Sequence, residues 1–345
     1  MGYIKNNKLD SDYLKLVDDI LENGVEKSDR TGTGTISVFG RQIRHDMSTG
    51  FPILTSKQVS IKNIQSELYW FLSGSTDIRH LWQKQCYIWD GDWYKRYVTS
   101  CSTPYSLEEM RAFGLLSLEK PFHDSVRFFN HTMWDLGPIY GKQWREFGGI
   151  DQIENLIKDI KENPDSRRLM VSAWNPTELD KMILPPCHYG FQCYTRELTP
   201  RERWLWILNN KLTDNYNDHR EDLFPGLIEE VETKIKNKGL SLVVPIRELS
   251  LSWNQRSVDT LLGLPYNIAS YGMLLLLLCN STNCIPGELI GNLGDTHIYK
   301  NQIEFIEQQK KNETFKLPKA IYNPDGNFSL VDYKHGGKVN YPLSN

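Results

Sequence analysis

Cys187 is the residue of this sequence whose type and setting first suggest chemistry. It follows two prolines in the segment LPPCHY, and prolines fix the backbone and so hold a thiol in one direction. His188 comes next, and a thiol beside a histidine can act as a nucleophile. Adjacent side chains seldom face each other, however, and most cysteines are buried small hydrophobes. The motif by itself leaves both a nucleophile and a structural cysteine open.

Four arginines lie where an anion could bind. Arg30, in the glycine-rich turn DRTGTGT, can meet an anion or pair with the aspartate before it. Arg256, in NQRSVD, lies among apolar residues, and a buried arginine needs Asp259 or a bound phosphate as its partner. Arg167 and Arg168 are adjacent in NPDSRR and cannot both point into one core, so at least one must be solvated or paired.

Four further polar residues have two interpretations each. Glu67 lies in SELYWFL; on an apolar helix face its pKa should rise, as a proton relay requires, whereas it could also face solvent. Asn267 is either the N-cap of the apolar helix that follows or an amide that pairs with the imide edge of a pyrimidine. His297 and Tyr299 share one face of an extended segment, and hydrogen-bonded core residues are the simpler interpretation.

Composition excludes several classes of protein. The 345 residues include 39% apolar and 12% aromatic side chains, which argues against disorder. Lys and Arg number 40 against 43 Asp and Glu, so the net charge of −3 does not fit a polybasic nucleic-acid binder. Six scattered cysteines without zinc spacing predict reduced thiols, no metal and a cytoplasmic location. The apolar run 268–279 is too short to span a bilayer and predicts a buried helix.

Hydrophobic periodicity predicts the elements that must position these residues. Helical spacing is found at 11–22, 61–72, 151–162 and 227–238. Strand-like segments are 35–45, 169–173, 188–196 and 248–253. We predict a single domain over 1–345, with inserts at 94–133, which is aperiodic and typical of a surface subdomain, and at 197–246, which is too long for a hairpin connection.

Seven segments in order resemble the thymidylate synthase family. They are DRTGTGT, SELYWFL, GPIYGKQW, NPDSRR, SAWNPTELDKMILPPCH, NQRSVDTLLGLPYNIASY and GDTHIY. The resemblance implies an α/β fold with a large, twisted, mostly antiparallel sheet that packs sheet to sheet in a homodimer and has helices on its other face. It also implies reductive methylation of dUMP to dTMP with 5,10-methylenetetrahydrofolate as co-substrate and without a metal.

The resemblance also assigns roles to residues. Cys187 would be the nucleophile that adds to uracil C6, with its pKa lowered by Arg256. The residues implied for proton transfer and catalysis are Glu67, Tyr140, His188, Arg256 and Asp259. Those implied for dUMP are Arg30, Gln255, Arg256, Ser257, Asn267, His297 and Tyr299, with Arg167 and Arg168 from the other subunit. Those implied for folate are Lys57, for the polyglutamate tail, and Trp89, Leu184, Asp259, Leu262, Gly263 and Tyr266.

This sequence departs from the family pattern at several positions. Gln58 and Ser60 stand where many members have Arg and His, which puts the folate tail contacts in question. Asn254 replaces a usual tyrosine. The chain ends in Ser344 and Asn345 instead of small apolar residues, and a more polar closing tail could admit water to the site.

Two alternative functions follow from the same residues. A deoxyuridylate hydroxymethylase would share the first chemical steps and then add water in place of hydride. A non-catalytic nucleotide- or RNA-binding paralogue would not need the thiol, so Cys187 argues against it. Asn267 disfavours a deoxycytidylate-specific relative, because an acid suits the cytosine edge better. DNA and membrane partners are not expected.

Overall fold

The computed structural model describes residues 6–29, 32–119, 131–213, 220–238, 242–323 and 325–344. Its helices are α1 (Lys8–Asn23), α2 (Ile61–Leu72), α3 (Arg79–Gln83), α4 (Asp90–Ser100), α5 (Leu107–Glu119), α6 (Tyr140–Glu146), α7 (Gln152–Glu162), α8 (Pro200–Asn209), α9 (Phe224–Asn237), α10 (Leu264–Thr282) and α11 (Ile306–Lys311). Its strands are β1 (Val25–Lys27), β2 (Thr35–Asp46), β3 (Met170–Ser172), β4 (His188–Glu197), β5 (Arg247–Asp259), β6 (Cys284–Tyr299), β7 (Lys319–Tyr322) and β8 (Phe328–Val331).

Six of these strands form one sheet, in the order β1-β2-β6-β5-β4-β3. Neighbouring strands are antiparallel, apart from β5 and β6, which run parallel with Trp253 opposite Gly291. Strands β7 and β8 form a separate antiparallel hairpin. The predicted α/β fold with a large, mostly antiparallel sheet is confirmed.

The two faces of this sheet differ. Along β5, buried and half-buried residues alternate from Arg247 to Gln255, which is the period of a strand with one side on the core. The buried side packs against α10 and the open side carries polar groups joined across strands. On the open side Asn292 Nδ2 donates to Ser252 Oγ at 2.9 Å, and Gln42 Nε2 donates to Asn292 Oδ1 at 2.9 Å.

Helix α10 is the buried apolar helix predicted at 268–279, extended at both ends. Its N-cap is Gly263, so Asn267 lies inside the helix and the N-cap interpretation of Asn267 is wrong. Asn283, in the left-handed conformation, ends the helix, and its N–H donates to the Cys279 carbonyl. Among the described residues no helix is both long and apolar enough to cross a bilayer.

Most predicted elements are present with small changes at their ends. The four periodic helices are α1, α2, α7 and α9, and the four strand-like segments are β2, β3, β4 and β5. Helix α1 starts at Lys8, before the predicted residue 11, because the Asn7 side chain accepts the Asp10 N–H and caps it. Strand β5 continues to Asp259, beyond the predicted end at residue 253.

The segment 94–133 contains helices that its sequence pattern did not reveal. Helix α4 enters it and α5 lies within it. Trp93 and Tyr97 of α4 stack at 5.5 Å between ring centroids, and both lie in the main hydrophobic core with Met110 of α5. The described part of this segment is therefore helical and contributes to the main core, and its interpretation as an inserted surface subdomain stays a prediction.

The segment 197–246 joins β4 to β5 and contains a small core of its own. Helices α8 and α9 pack together, with the rings of Trp204 and Phe224 stacked at 6.0 Å. The cluster is separate from the main core, and its other buried members are Ile207, Ile228, Val231, Ile235 and Val244. That 94–133 and 197–246 are inserts in a single domain stays a prediction.

Substitution of Gly141 tests the close contact between α6 and α2. A Cβ on Gly141 would lie 2.2 Å from the Phe71 carbonyl oxygen, so Gly141→Ala should lower the free energy of unfolding by about 2 kcal/mol. Gly226 in α9 is the matched control, since a Cβ added there would meet nothing within 4 Å. Gly226→Ala should leave that free energy unchanged or raise it by less than about 1 kcal/mol. Urea unfolding followed by circular dichroism measures both, and equal effects would contradict the contact.

Candidate active site

A cavity of about 210 Å³ lies where α2, the start of β4, the end of β5 and the first turn of α10 meet. Its lining residues are Glu67, Ile88, Trp89, Asp92, Tyr140, Leu184, Cys187, His188, Gln255, Ser257, Asp259, Gly263 and Asn267. All of these except Ile88 and Asp92 are residues that the sequence analysis selected. Side chains far apart in the chain thus meet around one thiol.

A larger cavity, of about 700 Å³, lies beside α2 and α3. Its lining includes Lys62, His80 and Lys84 but contains no thiol and no carboxylate. Volume does not make a site reactive. The smaller cavity is the candidate active site because it joins a nucleophile, ionisable groups and amides.

Cys187 is half-buried at the point where the chain enters β4. Its backbone N–H donates to Tyr140 Oη at 2.8 Å, and its carbonyl accepts the Arg256 backbone N–H at 2.8 Å. These two hydrogen bonds, with Pro185 and Pro186 before it, fix the main chain that carries the thiol. The constrained backbone predicted from LPPCHY is present.

The pKa of the Cys187 thiol is raised, because burial disfavours the thiolate. The positive charge of Arg256 opposes this and lowers the pKa, whereas the charge of Asp92 raises it. The predicted direction, a lowered pKa, is wrong for the protein without substrate. The predicted influence of Arg256 on the thiol has the right sign but is smaller than the effect of burial.

Arg256 is exposed and does not pair with Asp259. Its guanidinium donates from Nε to the Pro186 carbonyl and from Nη2 to the Pro185 carbonyl, each at 2.9 Å, and lies 5.5 Å from the centroid of the Trp174 ring. The prediction of a buried Arg256 is therefore wrong. Its charge instead lies at the rim of the cavity, where an anion can reach it.

Glu67 lies on α2 and its carboxyl faces the cavity. Trp89 Nε1 donates to Glu67 Oε1 at 2.8 Å. Burial raises the pKa of Glu67 to about 7, and the Trp89 hydrogen bond only partly opposes this. The predicted rise in pKa is confirmed, and it gives the cavity a carboxyl group that gains or loses a proton near neutral pH.

His188 and Tyr140 line the cavity together with Cys187. The His188 ring lies 4.3 Å from the Tyr140 ring between centroids, and its Nδ1 pairs with Tyr271 Oη at 2.9 Å. Burial lowers the pKa of His188 to about 3, so its imidazole is neutral at physiological pH. With so low a pKa, His188 is a poor acceptor for the thiol proton and does not form the imidazolium that often stabilises a catalytic thiolate.

Asn267 and Gln255 form a linked pair of amides in the cavity wall. Gln255 Nε2 donates to Asn267 Oδ1 at 3.1 Å, and Gln255 Oε1 accepts from Trp253 Nε1 at 3.1 Å. This chain of hydrogen bonds fixes the orientation of the Asn267 amide. Its Nδ2 donor and the second lone pair of Oδ1 suit an edge with one acceptor and one donor.

Asp259 ends β5, and the Lys57 side chain contacts the turn that follows. Asp259 Oδ1 accepts the Leu262 N–H at 3.0 Å, and burial raises the pKa of this carboxyl. Lys57 is only 3% exposed and its ammonium donates to the Leu261 carbonyl. That Lys57 contacts a folate tail stays a prediction.

The remaining predicted residues lie outside the cavity lining. Arg167 and Arg168 are exposed in the turn before β3, which agrees with the expectation that they do not share a core. His297 and Tyr299 lie in β6 with their rings 5.2 Å apart, so the predicted extended segment is confirmed. Leu262 and Tyr266 are partly buried beside the lining residue Gly263. Arg30 lies outside the described residues.

Comparisons with known proteins agree with this geometry. The family model described as thymidylate synthase matches residues 11–345. The thymidylate synthase of Mycoplasma mobile is 40% identical over 311 residues, which are 90% of this chain and 88% of the relative. The thymidylate synthase of Phytoplasma mali is 39% identical over 315 residues, with the same coverage of both chains.

The chain belongs to the thymidylate synthase family.

Family membership makes the chain an enzyme of thymidylate synthesis, a methyltransferase-type activity. The hydroxymethylase and the non-catalytic paralogue are not favoured, because both named relatives are thymidylate synthases. Among the described residues no group of three His, Cys, Asp or Glu side chains could hold a metal ion.

Two lining residues, Ile88 and Asp92, were missed by the sequence analysis. Ile88 precedes Trp89, and Asp92 lies in the first turn of α4. Their nearness to Trp89 was the available signal, but the segment after it has no clear apolar period. Asp92 matters to this thymidylate synthase family member because its charge raises the pKa of Cys187.

Glu67→Gln tests the raised pKa of Glu67. The folded-state pKa of about 7 lies above the ordinary value of 4.5, so between these values the folded chain holds a proton that the unfolded chain has lost. The free energy of unfolding of the wild type should therefore fall between pH 5 and pH 7 relative to that of the variant. The expected difference is about 1 kcal/mol, because the carboxyl group is partly solvated. Urea unfolding of both proteins at the two pH values measures this. A difference that does not change with pH would contradict the raised pKa.

Proposed function

We propose that the chain converts dUMP to dTMP with 5,10-methylenetetrahydrofolate, and that the Cys187 thiolate begins the reaction by adding to C6 of uracil. The observation that supports this most is the cavity shared by a backbone-fixed thiol, the Asn267 amide and three carboxyl groups. Addition at C6 makes C5 nucleophilic, and the folate supplies the one-carbon unit and then the hydride that complete the methyl group.

Thiolate formation needs help, because burial raises the pKa of Cys187. Arg256 supplies positive charge at the rim and holds the carbonyls of Pro185 and Pro186, the residues just before the thiol. We assign Arg256 both functions, since one side chain fixes the catalytic segment and favours its anionic form.

Glu67 is the proposed group for proton transfer at C5 and O4. Its pKa of about 7 keeps both protonation states populated near neutral pH, which proton transfer in both directions requires. Tyr140 and His188 lie beside it in the cavity lining and organise water there.

The amides of Asn267 and Gln255 are proposed to recognise the base. The imide edge of uracil offers a donor at N3 and an acceptor at O4, and the fixed Asn267 amide complements both. Gln255 orients Asn267, so specificity for uracil over cytosine rests on the pair. Ser257, which also lines the cavity, is assigned to the phosphate together with Arg256 and Arg30.

His297 and Tyr299 are assigned to the ribose 3′-hydroxyl. His297 lies opposite Asp259 in the register of β5 and β6, which puts its strand next to the cavity wall. Its ring Nδ1 approaches Asp295 at 3.3 Å, so the other ring nitrogen is directed elsewhere.

Residues around the upper cavity fit a reduced folate. Trp89 and Leu184 are apolar walls, Gly263 lines the cavity without a side chain, and Asp259 offers a carboxyl to a pterin ring. Leu262 and Tyr266, next to Gly263, extend this surface. Trp89 beside the cavity favours hydride transfer over attack by water, because it excludes solvent.

We also propose a homodimer formed through the open face of the sheet. Tyr194 is 66% exposed on β4, and a polar network crosses β2, β6 and β5 on this face. Arg167 and Arg168 stay outside the cavity of their own chain, which supports their donation to the phosphate site of a second copy. A cytoplasmic location stays a prediction.

Cys187→Ser tests the nucleophile. The variant should lose at least about a thousandfold in kcat while dUMP still binds, because a serine hydroxyl is far less nucleophilic at neutral pH. Release of dihydrofolate measures turnover and calorimetry measures binding. Cys101→Ser is the matched control and should keep full activity. A Cys187→Ser enzyme with substantial turnover would refute the assignment.

Subunit complementation tests the donated arginines. Arg167→Ala and Cys187→Ala should each inactivate the homodimer, whereas a mixed dimer should regain one working site of the two. Mixing differently tagged variants, with exchange confirmed by affinity capture, measures the recovered dTMP formation. A captured mixed dimer without activity would rule out donation across the interface.

A further inference from the structure

The segment 197–246 exposes large apolar side chains near the end of the sheet. Val243 and Ile246 lie just before β5, and Leu205 lies on α8. Val243 is 61% exposed, Ile246 57% and Leu205 47%, whereas Val244 is buried in the small core of α8 and α9. Leu205, Val243 and Ile246, which we call the apolar patch, are therefore not used by that core.

Ile246 continues the open side of the sheet. In β5, Glu248 shares its side with Ser252, whose hydroxyl belongs to the polar network of the open side. Glu248 lies opposite Arg196 of β4, and the Leu198 N–H donates to the Ile246 carbonyl at 2.9 Å, which extends the same register. Because side chains along a strand alternate with a period of two residues, Ile246 lies on the side of Glu248.

Charged side chains hold α8 beside this open side. Arg196 Nη2 donates to Glu202 Oε1 of α8 at 2.8 Å and to Glu248 Oε2 of β5 at 2.9 Å. Glu202 also belongs to the N-terminal capping box of α8, in which its carboxylate accepts the Thr199 N–H. Leu205 follows Glu202 by three residues and therefore lies on the same face of the helix. The exposed Leu205 thus adjoins the open side of the sheet.

We propose that the apolar patch extends the homodimer interface and packs against a second copy of the chain. The inference rests on the homodimer proposed above through the open face, on which Tyr194 is 66% exposed two residues before Arg196. The patch is continuous with that face, because Ile246 lies on its side of the sheet and α8 is bonded to it. A second copy that covers the face also covers the patch, and a symmetric contact removes apolar surface from water in both copies.

Charge substitution measures what the patch contributes to dimerisation. Leu205→Asp and Ile246→Asp should each raise the dissociation constant of the dimer at least about tenfold, because association would dehydrate the new carboxylate. Ile321→Asp is the matched control, since Ile321 is 48% exposed on β7 of the separate hairpin, and its effect should stay within about twofold. Tyr194→Asp, on the open face itself, should dissociate the dimer. Sedimentation equilibrium measures these constants, and circular dichroism checks that each variant is folded.

The oligomeric state separates this inference from the proposed reaction. A dimer that Leu205→Asp weakens supports the inference even if the wild type forms no dTMP, a result that rejects the proposed reaction alone. If Tyr194→Asp dissociates the dimer while Leu205→Asp and Ile246→Asp behave as the wild type, the patch lies outside the interface and the inference is overturned. A wild-type monomer would overturn both the inference and the proposed homodimer.

A photoreactive residue identifies what covers the patch and does not depend on the folding of the aspartate variants. With p-benzoylphenylalanine in place of Val243, irradiation should join two copies of the chain. Mixing with an isotopically labelled chain distinguishes this product from a cross-link within one chain. The same residue in place of Ile321 is the control and should not join two copies. Cross-links from position 243 that stay within one chain would show that another segment of the same chain covers the patch, and would overturn the inference.

Discussion

Burial of ionisable groups is the constraint on which this active site depends. The thiol of Cys187 and the carboxyl groups of Glu67 and Asp259 have raised pKa values, and His188 and Lys57 have lowered ones, each mainly because burial disfavours the charged form. Every one of these shifts favours the neutral state. The side chains in the interior therefore carry less charge than their residue types suggest. Such an interior suits an uncharged heterocycle.

The rim of the cavity has the opposite character. Arg256 is exposed, its guanidinium is held by two proline carbonyls, and Arg167 and Arg168 are exposed in the turn before β3. A nucleotide matches this division, since its phosphate can meet arginines in solvent while its base enters the interior. The cost of dehydrating the phosphate is avoided, and Arg256 still acts on the thiol from the rim. The electrostatic division thus explains why the guanidinium is not buried, contrary to the expectation from its apolar neighbours in sequence.

The sequence predicted those features that depend on neighbouring residues in the chain. The helices α1, α2, α7 and α9 and the main strands followed from apolar spacing, and the raised pKa of Glu67 followed from its apolar neighbours on one helix. The resemblance supplied the members of the cavity. What failed depends on contacts between distant segments: the direction of the Cys187 pKa and the exposure of Arg256. The helices within 94–133 were missed because the residues that pack with the main core, such as Tyr97 and Met110, are scattered along this segment.

Phe71 shows how packing away from the chemistry controls several groups at once. It follows Glu67 by one helical turn on α2, and its ring stacks on Tyr140 at 4.8 Å. The same ring lies 6.5 Å from Trp89 and 6.3 Å from His188 between centroids. Trp89 donates to the Glu67 carboxyl, and Tyr140 accepts the N–H of the proposed nucleophile. One buried aromatic ring therefore sets the distances among the proposed proton carrier, the wall that excludes water and the backbone of the nucleophile. Because the interior is close-packed, these groups cannot adjust independently of one another.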